Sequence, residues 1–325
     1  MTTWNILRFS GTALLMTLLG VGCASAQITP PCAGESLSFT SIWNADLPPT
    51  KLTMGEGFDE LLGQMQTLWT EGFLLDDFEV WESYGVQQVA GLFRPGQGAR
   101  LLLYDMDAAT FQAQRHQRFV EGLRLLDVEI LWVEGERRFS ALWASGTGTE
   151  RVYDNLEASE FHAEWQDLSS SYRLVDFETW WADDELRVFG VFRTGYEETE
   201  ELVFGLNAAD FIALVEEKGE DDLRLVDVEI ATVPGLPSRY SGRFVPDVIP
   251  NWWGIGYTPP GLRRADWLLS RGYGTSGTGL DENTYLWTPE STPLQLLDLT
   301  AEVRKGGMII QGKPNPDGGT AGPPK

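Results

Sequence analysis

Apolar residues follow two patterns along most of the chain, one with the period of an α-helix and one with that of a β-strand. Between positions 58 and 69 they recur three and four residues apart, which predicts a helix with one apolar face. These residues are Phe58, Leu61, Leu62, Met65, Leu68 and Trp69. Segments of alternating character follow each helical stretch, and in Gly122–Glu129 the alternation places Leu123, Leu125, Asp127 and Glu129 on one side of a strand.

The alternating stretch occurs four times at a nearly constant period. Its copies are Gly72–Glu79, Gly122–Glu129, Ser171–Glu178 and Asp222–Glu229. Their aspartates, Asp77, Asp127, Asp176 and Asp227, are 50, 49 and 51 residues apart. A line of aromatic residues keeps the same phase, at Trp43, Phe93, Trp143, Phe192 and Phe244. Self-similarity at a fixed period is typical of repeat architectures, in which neighbouring units stack to bury a continuous core.

Each predicted unit runs helix, strand, strand, strand. Asp107 and Asn207 stand where a helix N-cap belongs, and Glu134-Gly135 and Asp183-Asp184 are polar breaks typical of hairpin tips. The sequence therefore predicts an α+β fold of tandem repeats of about 50 residues, each a helix plus a three-stranded antiparallel sheet. We expect an open array with capped ends; the alternative is a closed ring in which the first strands complete the last unit.

Two further positions keep the phase of the repeat. The residue two before each aromatic is small, which predicts the place where the helix packs on the sheet. These residues are Ser41, Gly91, Ala141, Gly190 and Gly242. The second position holds an arginine, for which we expect cross-strand ion pairs of Asp127 with Arg138, Asp176 with Arg187, and Asp227 with Arg239. Catalysis or calcium binding is the alternative for these aspartates, but four copies favour packing between units.

The repeat divides the chain into five parts. Residues 1–26 are predicted to be a signal peptide, 27–57 a half-repeat with the phase of the later two strands, 58–246 four tandem repeats, 247–305 an atypical closing segment, and 306–325 a disordered tail. Within the closing segment we expect a helix at Leu262–Arg271 and short strands at Thr284–Trp287 and Leu294–Leu299.

The first segment has the features of an export signal. Arg8 precedes the apolar run Ala13–Val21, which is too short to span a bilayer, and Ala24-Ser25-Ala26 forms a small-residue cleavage site. We therefore expect an exported protein, periplasmic or extracellular, that begins at Gln27. The alternative is a lipoprotein anchored through Cys23, although Gly20 stands where such signals usually have leucine. Membrane attachment is expected only in that case.

Several positions that hold phase together point to a family. The R-L-V-D-(V/F)-E strand, the small-x-aromatic strand and the helix opening on phenylalanine resemble the tandem structural repeats of polyglycine hydrolase-like proteins, over about residues 36–246. In that family the repeats often accompany a serine hydrolase domain with an S-x-x-K motif. This chain contains no S-x-x-K. The resemblance therefore implies the repeat fold and a recognition or scaffold role, and it does not imply the activity.

Charge and motif content narrow the possible chemistry. The net charge is −24, so nucleic acid is not an expected partner. Gly272–Gly277 matches G-x-G-x-x-G but lacks the strand before and helix after that dinucleotide binding requires. Ser276 faintly resembles a nucleophile, yet the two histidines, His116 and His162, fall on polar helix faces of different repeats. We expect no metal, no cofactor and no enzyme activity.

Aromatic side chains are the strongest remaining indication of function. Exposed aromatic residues mark recognition of sugars or peptides, although core filling also explains any single one. The candidates are Trp81, Trp180, Trp181, Trp252 and Trp253. The hypothesis is an exported non-catalytic repeat protein that binds, or acts as a scaffold for, an extracellular or cell-envelope glycan, peptide or protein. The alternative is an exported hydrolase, serine or carboxylate based.

Overall fold

The computed structural model describes residues 35–44, 48–83, 86–195, 200–232, 237–246, 251–257, 273–276, 286–289 and 295–305. Within these ranges the chain forms helices α1 (Phe58–Thr70), α2 (Ala108–Val120), α3 (Ala158–Leu168) and α4 (Ala208–Glu220). Among the described residues, no helix has the length and apolar character needed to cross a membrane. The predicted signal peptide, the helix at Leu262–Arg271 and the tail lie outside the described residues.

The strands fall into groups that alternate with the helices. Before α2 come β1 (Glu35–Asn44), β2 (Lys51–Glu56), β3 (Phe73–Ser83), β4 (Val86–Pro95) and β5 (Arg100–Met106). Between α2 and α4 come β6 (Leu123–Val133), β7 (Glu136–Ser145), β8 (Glu150–Glu157), β9 (Tyr172–Ala182), β10 (Glu185–Thr194) and β11 (Glu201–Leu206). After α4 come β12 (Leu223–Ala231), β13 (Arg239–Pro246), β14 (Asn251–Tyr257), β15 (Tyr273–Ser276), β16 (Leu286–Pro289) and β17 (Gln295–Lys305).

Four antiparallel sheets share one design, a hairpin plus a short strand, with the second hairpin strand in the middle. Their strand orders are β2-β4-β3, β5-β7-β6, β8-β10-β9 and β11-β13-β12. The prediction of tandem units, each a helix with a three-stranded antiparallel sheet, is confirmed. The grouping differs from the predicted one, because each short strand joins the sheet of the helix that follows it. The middle strand explains this: β4 already pairs with β2 and β3, so it has no free edge for β5.

A fifth sheet brings the two ends of the described chain together. Its order is β14-β1-β17, so the half-repeat strands β1 and β2 belong to different sheets. Strand β17 contacts both β3 in the first unit and β12 in the last. The sheets of the described residues remain separate and form no continuous barrel, as an array of units requires. The predicted open array is therefore confirmed, although one shared sheet covers both of its ends, where a separate cap at each end was expected.

The small residue of each middle strand marks the seat of the helix, as predicted. A Cβ added at Gly190 would lie 2.4 Å from Cζ of Phe161 in α3, and one added at Gly91 would lie 2.7 Å from Cδ1 of Leu61 in α1. Real side chains do not approach so closely. A larger residue at these positions would therefore push the helix off its sheet.

The predicted caps and hairpin tips are also confirmed. The side chain of Asp107 accepts a hydrogen bond from the Thr110 amide at 2.7 Å, and that of Asn207 accepts one from the Asp210 amide at 3.0 Å. Glu134 has a φ of 53°, and Asp183 and Asp184 have 52° and 61°. These left-handed values are those of tight two-residue hairpin turns.

No unit among the described residues buries its apolar face alone. The core around Phe58 and Leu61 of the first unit includes Leu142 from β7 of the second. The core around Phe111 of the second unit includes Trp180 and Val191 from the third. Each sheet therefore packs one face on its own helix and the other on the preceding unit, so that the units depend on one another for a core.

Candidate functional site

The first strand after each helix lies at one edge of its sheet, and these edges meet. Strands β3, β6, β9 and β12 contact one another in chain order, and β17 contacts both β12 and β3. These five are the inner strands. The amide of Phe78 in β3 donates to Asp127 in β6. Two residues further along both strands, the amide of Val80 donates to Glu129. Because both partners advance together, β3 and β6 run in the same direction.

The carboxyl groups of one inner strand satisfy the free edge of the preceding one. The Phe78 amide lies 2.8 Å from Oδ2 of Asp127, and the Val128 amide lies 3.0 Å from Oδ2 of Asp176. The bond between the first and second units therefore recurs between the second and third. Unpaired edge amides invite pairing with other chains, so this bond closes an exposed edge and also fixes the register between units.

Arginine side chains make a second contact between units. The backbone carbonyl of Leu75 accepts a hydrogen bond from Nε of Arg100 at 2.8 Å. The equivalent carbonyl of Leu125 accepts one from Arg193, and that of Leu174 accepts one from Nη1 of Arg243 at 3.0 Å. These three arginines come from three different positions of the repeat. The accepting carbonyl occupies the same position in each unit, whereas the donating arginine does not. An alignment of the repeats therefore does not reveal this hydrogen bond.

Burial shifts the pKa values of the inner carboxyl groups upward. Burial raises the pKa of Asp77 to about 7 although the Arg94 guanidinium opposes it, and burial raises that of Asp227 to about 6 against the opposing Arg243. Burial and neighbouring carboxylates raise the pKa of four more groups well above their ordinary values. These are Asp127, Glu129, Asp176 and Glu178.

The inner carboxyl groups lie on strands that contact one another from unit to unit. Besides burial, the charge of Asp77 raises the pKa of Asp176, two units away, and the charge of Glu79 raises that of Glu178. Where water does not screen them, such charges act across more than one unit. Aspartates and glutamates two residues apart share one strand face, so they form two layers, one of Asp77, Asp127, Asp176 and Asp227 and one of Glu79, Glu129, Glu178 and Glu229.

The chemistry open to this cluster is limited by its burial. Carboxyl groups with raised pKa values are the apparatus of acid–base catalysis. However, Asp127 is only 6% exposed, Glu129 7% and Glu178 8%. The first two also accept backbone hydrogen bonds from the neighbouring unit. Within the described part of the chain, no group of His, Cys, Asp or Glu side chains is arranged to hold a metal ion.

The ion pairs predicted from the repeat are wrong. Arg138 lies opposite Leu131, whereas Asp127 lies opposite Leu142. In the other two copies Arg187 lies opposite Trp180 and Arg239 opposite Ala231, each four residues beyond Asp176 and Asp227. Four residues of strand span about 13 Å, too far for a pair. The long hairpin explains the error, because the arginines lie near its tip and the aspartates near its middle.

The arginines have other partners. Arg138 lies 3.4 Å from Glu136 and 3.9 Å from Asp105, and Arg187 lies 2.8 Å from Glu185. Among the repeat aspartates, Asp227 does have a cross-strand arginine, but it is Arg243, whose Nε lies 3.5 Å from Oδ2. Arg243 stands directly opposite Asp227 in the ladder.

The tryptophan candidates divide into core and surface. Trp81 is 3% and Trp180 8% exposed, so neither ring lies on the surface at a hairpin tip, and a role for them in ligand binding stays a prediction. Trp180 packs in the second unit's core beneath the Arg137 guanidinium, 5.2 Å from its ring centre. Trp181 is half-buried. The side chains of Trp252 and Trp253 lie outside the described residues. Trp132, at the end of β6, is 48% exposed.

A fifth copy of the aspartate position was missed. Leu296-Leu297-Asp298-Leu299 in β17 repeats Leu225-Val226-Asp227-Val228 in β12. The ladder pairs Leu296 with Trp43 and Asp298 with Ile42, as Leu225 pairs with Phe244 and Asp227 with Arg243. Asp298 follows Asp227 by 71 residues, so a search at a fixed period passes over it. A search for the local sequence motif alone, without a fixed spacing, identifies Asp298.

The two histidines singled out for chemistry lie on different helices. His116 is exposed on α2, and His162 on α3 hydrogen-bonds Gln166 at 3.0 Å within the same helix. Ser276 pairs with Leu286 between β15 and β16, and its side chain lies outside the described residues. The absence of a catalytic role for either histidine stays a prediction.

Comparison with known families supports the assignment of the repeat. Residues 100–145 match the polyglycine hydrolase-like structural repeat. That range begins at the first residue of β5 and ends at the last residue of β7, so it spans one short strand, one helix and one hairpin. The family repeat and the structural unit therefore coincide. No curated protein matches the chain.

Proposed function

We propose that this chain is an exported, non-catalytic repeat module that binds, or acts as a scaffold for, a ligand outside the cell or in the cell envelope. The observation that supports this best is the use of the repeated carboxyl groups. Asp127, Asp176 and Glu129 each accept a backbone hydrogen bond from the neighbouring unit. Side chains bound in this way join the units and are withdrawn from any substrate.

The hairpin tips are the proposed contact surface. Because the inner strands run in the same direction, their tips point toward the same end of the array. Trp132 at one tip is 48% exposed, and Val86 at the next is 59% exposed. Exposed aromatic rings of this kind stack on sugar rings and on apolar side chains of peptides. We therefore assign the first contact to Trp132, with the half-buried Trp181 beside it in the third unit.

The test is an array of glycans, peptidoglycan fragments and envelope peptides probed with residues 27–325. Trp132→Ala should lower the affinity for a bound ligand at least about tenfold, as removal of an aromatic anchor does. Trp69→Ala is the matched control, since Trp69 is 39% exposed but lies on α1, away from the tips. Equal losses in both variants, or binding to no probe at all, would contradict the proposal.

Export is part of the same proposal and has its own test. Mass spectrometry of the protein recovered from cells should find a mature chain that begins at Gln27. A lipid-modified Cys23 would instead place the module on a membrane surface.

The alternative, an exported hydrolase, rests on the raised pKa values of the inner carboxyl groups. Release of product from any ligand on the array would favour it. Loss of that release in Glu129→Gln, with binding retained, would establish a carboxylate mechanism.

A further inference from the structure

Carboxyl groups of adjacent units lie on neighbouring inner strands. Strands β3 and β6 lie side by side, and the Phe78 amide, next to Asp77 in the chain, donates to Asp127. The Oδ2 atom of Asp77 is buried and has no hydrogen-bond partner among the described residues. An ionised carboxylate is costly to bury without a donor beside it, whereas a protonated carboxyl group carries a donor of its own. The geometry therefore favours a carboxyl group that keeps its proton.

The charges around this pair are mostly of the same sign. Arg94 and Asp76 face Asp77 from its own unit, and Asp227 faces it from the fourth. Asp176 and Glu129 face Asp127. One cation therefore faces a group of carboxylates that repel one another in a buried site. From β17, Asp298 occupies the equivalent register position, and its side chain lies outside the described residues.

The second layer repeats the situation. Glu79 and Asp77 face Glu129, together with Asp176, and Glu79 and Glu229 face Glu178. Arg243 acts on Asp176 and Asp227 at the edge of the cluster. Each charge in this layer opposes the ionisation of the next where water does not screen it, so burial and repulsion both favour the protonated form.

We propose that the inner carboxyl groups form a proton-binding layer shared by the units, so that folding takes up protons near neutral pH and acidification tightens the array. The inference concerns the stability of the fold and does not depend on the proposed ligand.

The sign of the effect follows from the direction of the shifts. Ordinary surface aspartates have a lower pKa in the folded state, and their contribution to stability is lost in acid. Here the folded pKa lies above the unfolded one, at about 7 for Asp77 and about 6 for Asp227. The contribution of these groups to stability is therefore complete below about pH 4 and is lost as the pH rises through 6 and 7.

Thermal unfolding of residues 27–325 between pH 8 and pH 5 tests the proposal. The wild-type Tm should rise by about 5 °C or more on acidification. Asp127→Asn should reduce that rise and raise the Tm at pH 8, because its side chain can accept from the Phe78 amide and carries no charge at any pH. A general relief of negative charge would affect both proteins equally, so the difference between them isolates the layer.

Asp107→Asn is the matched control. Asp107 is an exposed N-cap whose pKa the Thr110 amide lowers, and asparagine caps equally well. This variant should keep the full wild-type rise. A wild-type Tm that stays level or falls toward pH 5, or an unchanged rise in Asp127→Asn, would overturn the proposal. Infrared spectroscopy of the wild type at pH 7 decides independently: absence of a protonated carboxyl band refutes a retained proton even if the variant does not fold.

Discussion

The two faces of β6 hold neighbouring elements in different ways. The predicted alternation is wrong at one point, because a β-bulge between Leu125 and Asp127 puts Leu125 on the opposite face from Asp127 and Glu129. On one face Leu125 and Val128 are buried against Phe111 of α2. On the other, Asp127 and Glu129 are buried against the edge of β3 and accept its amide hydrogen bonds. Apolar contacts are strong but not directional, so they tolerate sliding. The carboxylate bonds are directional, and a shift of one residue between units would break both together. The apolar face therefore holds the helix on the sheet, and the acidic face fixes the alignment of β6 with β3.

The largest expected effect comes from removing a side chain on the apolar face. Phe161 is fully buried and packs against Phe192 and Gly190. Phe161→Ala should lower the free energy of unfolding by about 3–5 kcal/mol, because the cavity cannot be filled by a rigid sheet. Denaturant unfolding measures this, and Val120→Ala, at a position of α2 that is 74% exposed, should lose less than about 1 kcal/mol. Similar losses in the two variants would mean that the helices are not seated as described.

The apolar face could be predicted from the sequence, and the acidic face could not. Helix spacing, the small residue at Gly91 and Gly190, and the caps at Asp107 and Asn207 are local signals, and each agrees with the structure. The partner of Asp127 is a backbone amide of another unit, 49 residues earlier. Backbone partners leave no pattern of side chains in the sequence. The arginines that recur at one position of the repeat were therefore predicted as the partners, and this prediction was wrong.

The contact that joins the fourth unit to the third gives a smaller effect that depends on pH. Arg243 donates to the carbonyl of Leu174 and lies 3.5 Å from Asp227. Arg243→Ala should lower the free energy of unfolding by about 1–3 kcal/mol, because it leaves a buried acceptor unsatisfied. Without this cation the pKa of Asp227 should rise above about 6, so the loss should be greater at pH 8 than at pH 5.

A second substitution sharpens this prediction. Asp227→Asn in the Arg243→Ala background removes the charge that the arginine opposes. The double variant should therefore recover stability at pH 8 and show little change at pH 5. A loss from Arg243→Ala that is the same at both pH values would show that the other contacts of Arg243, with the carbonyl of Leu174 and with Glu200 at 3.4 Å, account for the whole effect.

The closing sheet shows a different limit of inference from sequence. Strands β1 and β17 come from opposite ends of the described chain, and they pair over ten positions from Glu35 to Asn44. The phase of Trp43 identified β1 as a second hairpin strand, which its position between β14 and β17 bears out. Its partners were not predictable, because the insertion before β17 breaks the period that linked the other four units. The sheet that joins the two ends of the described chain therefore depends on β17, which keeps the repeated motif around Asp298 but not the 50-residue spacing.

The smallest expected effect separates register from charge. Arg138 was the predicted partner of Asp127, but its side chain is 31% exposed and its partners Glu136 and Asp105 are themselves exposed. Arg138→Ala should therefore lower the free energy of unfolding by less than about 1 kcal/mol, as exposed pairs do. In a double-mutant cycle, Asp127→Asn and Arg138→Ala should be additive within about 0.5 kcal/mol, because their groups lie four ladder positions apart. A larger coupling would mean that the hairpin slips until the two meet, and the amide bonds from β3 would then be the weaker determinant of register.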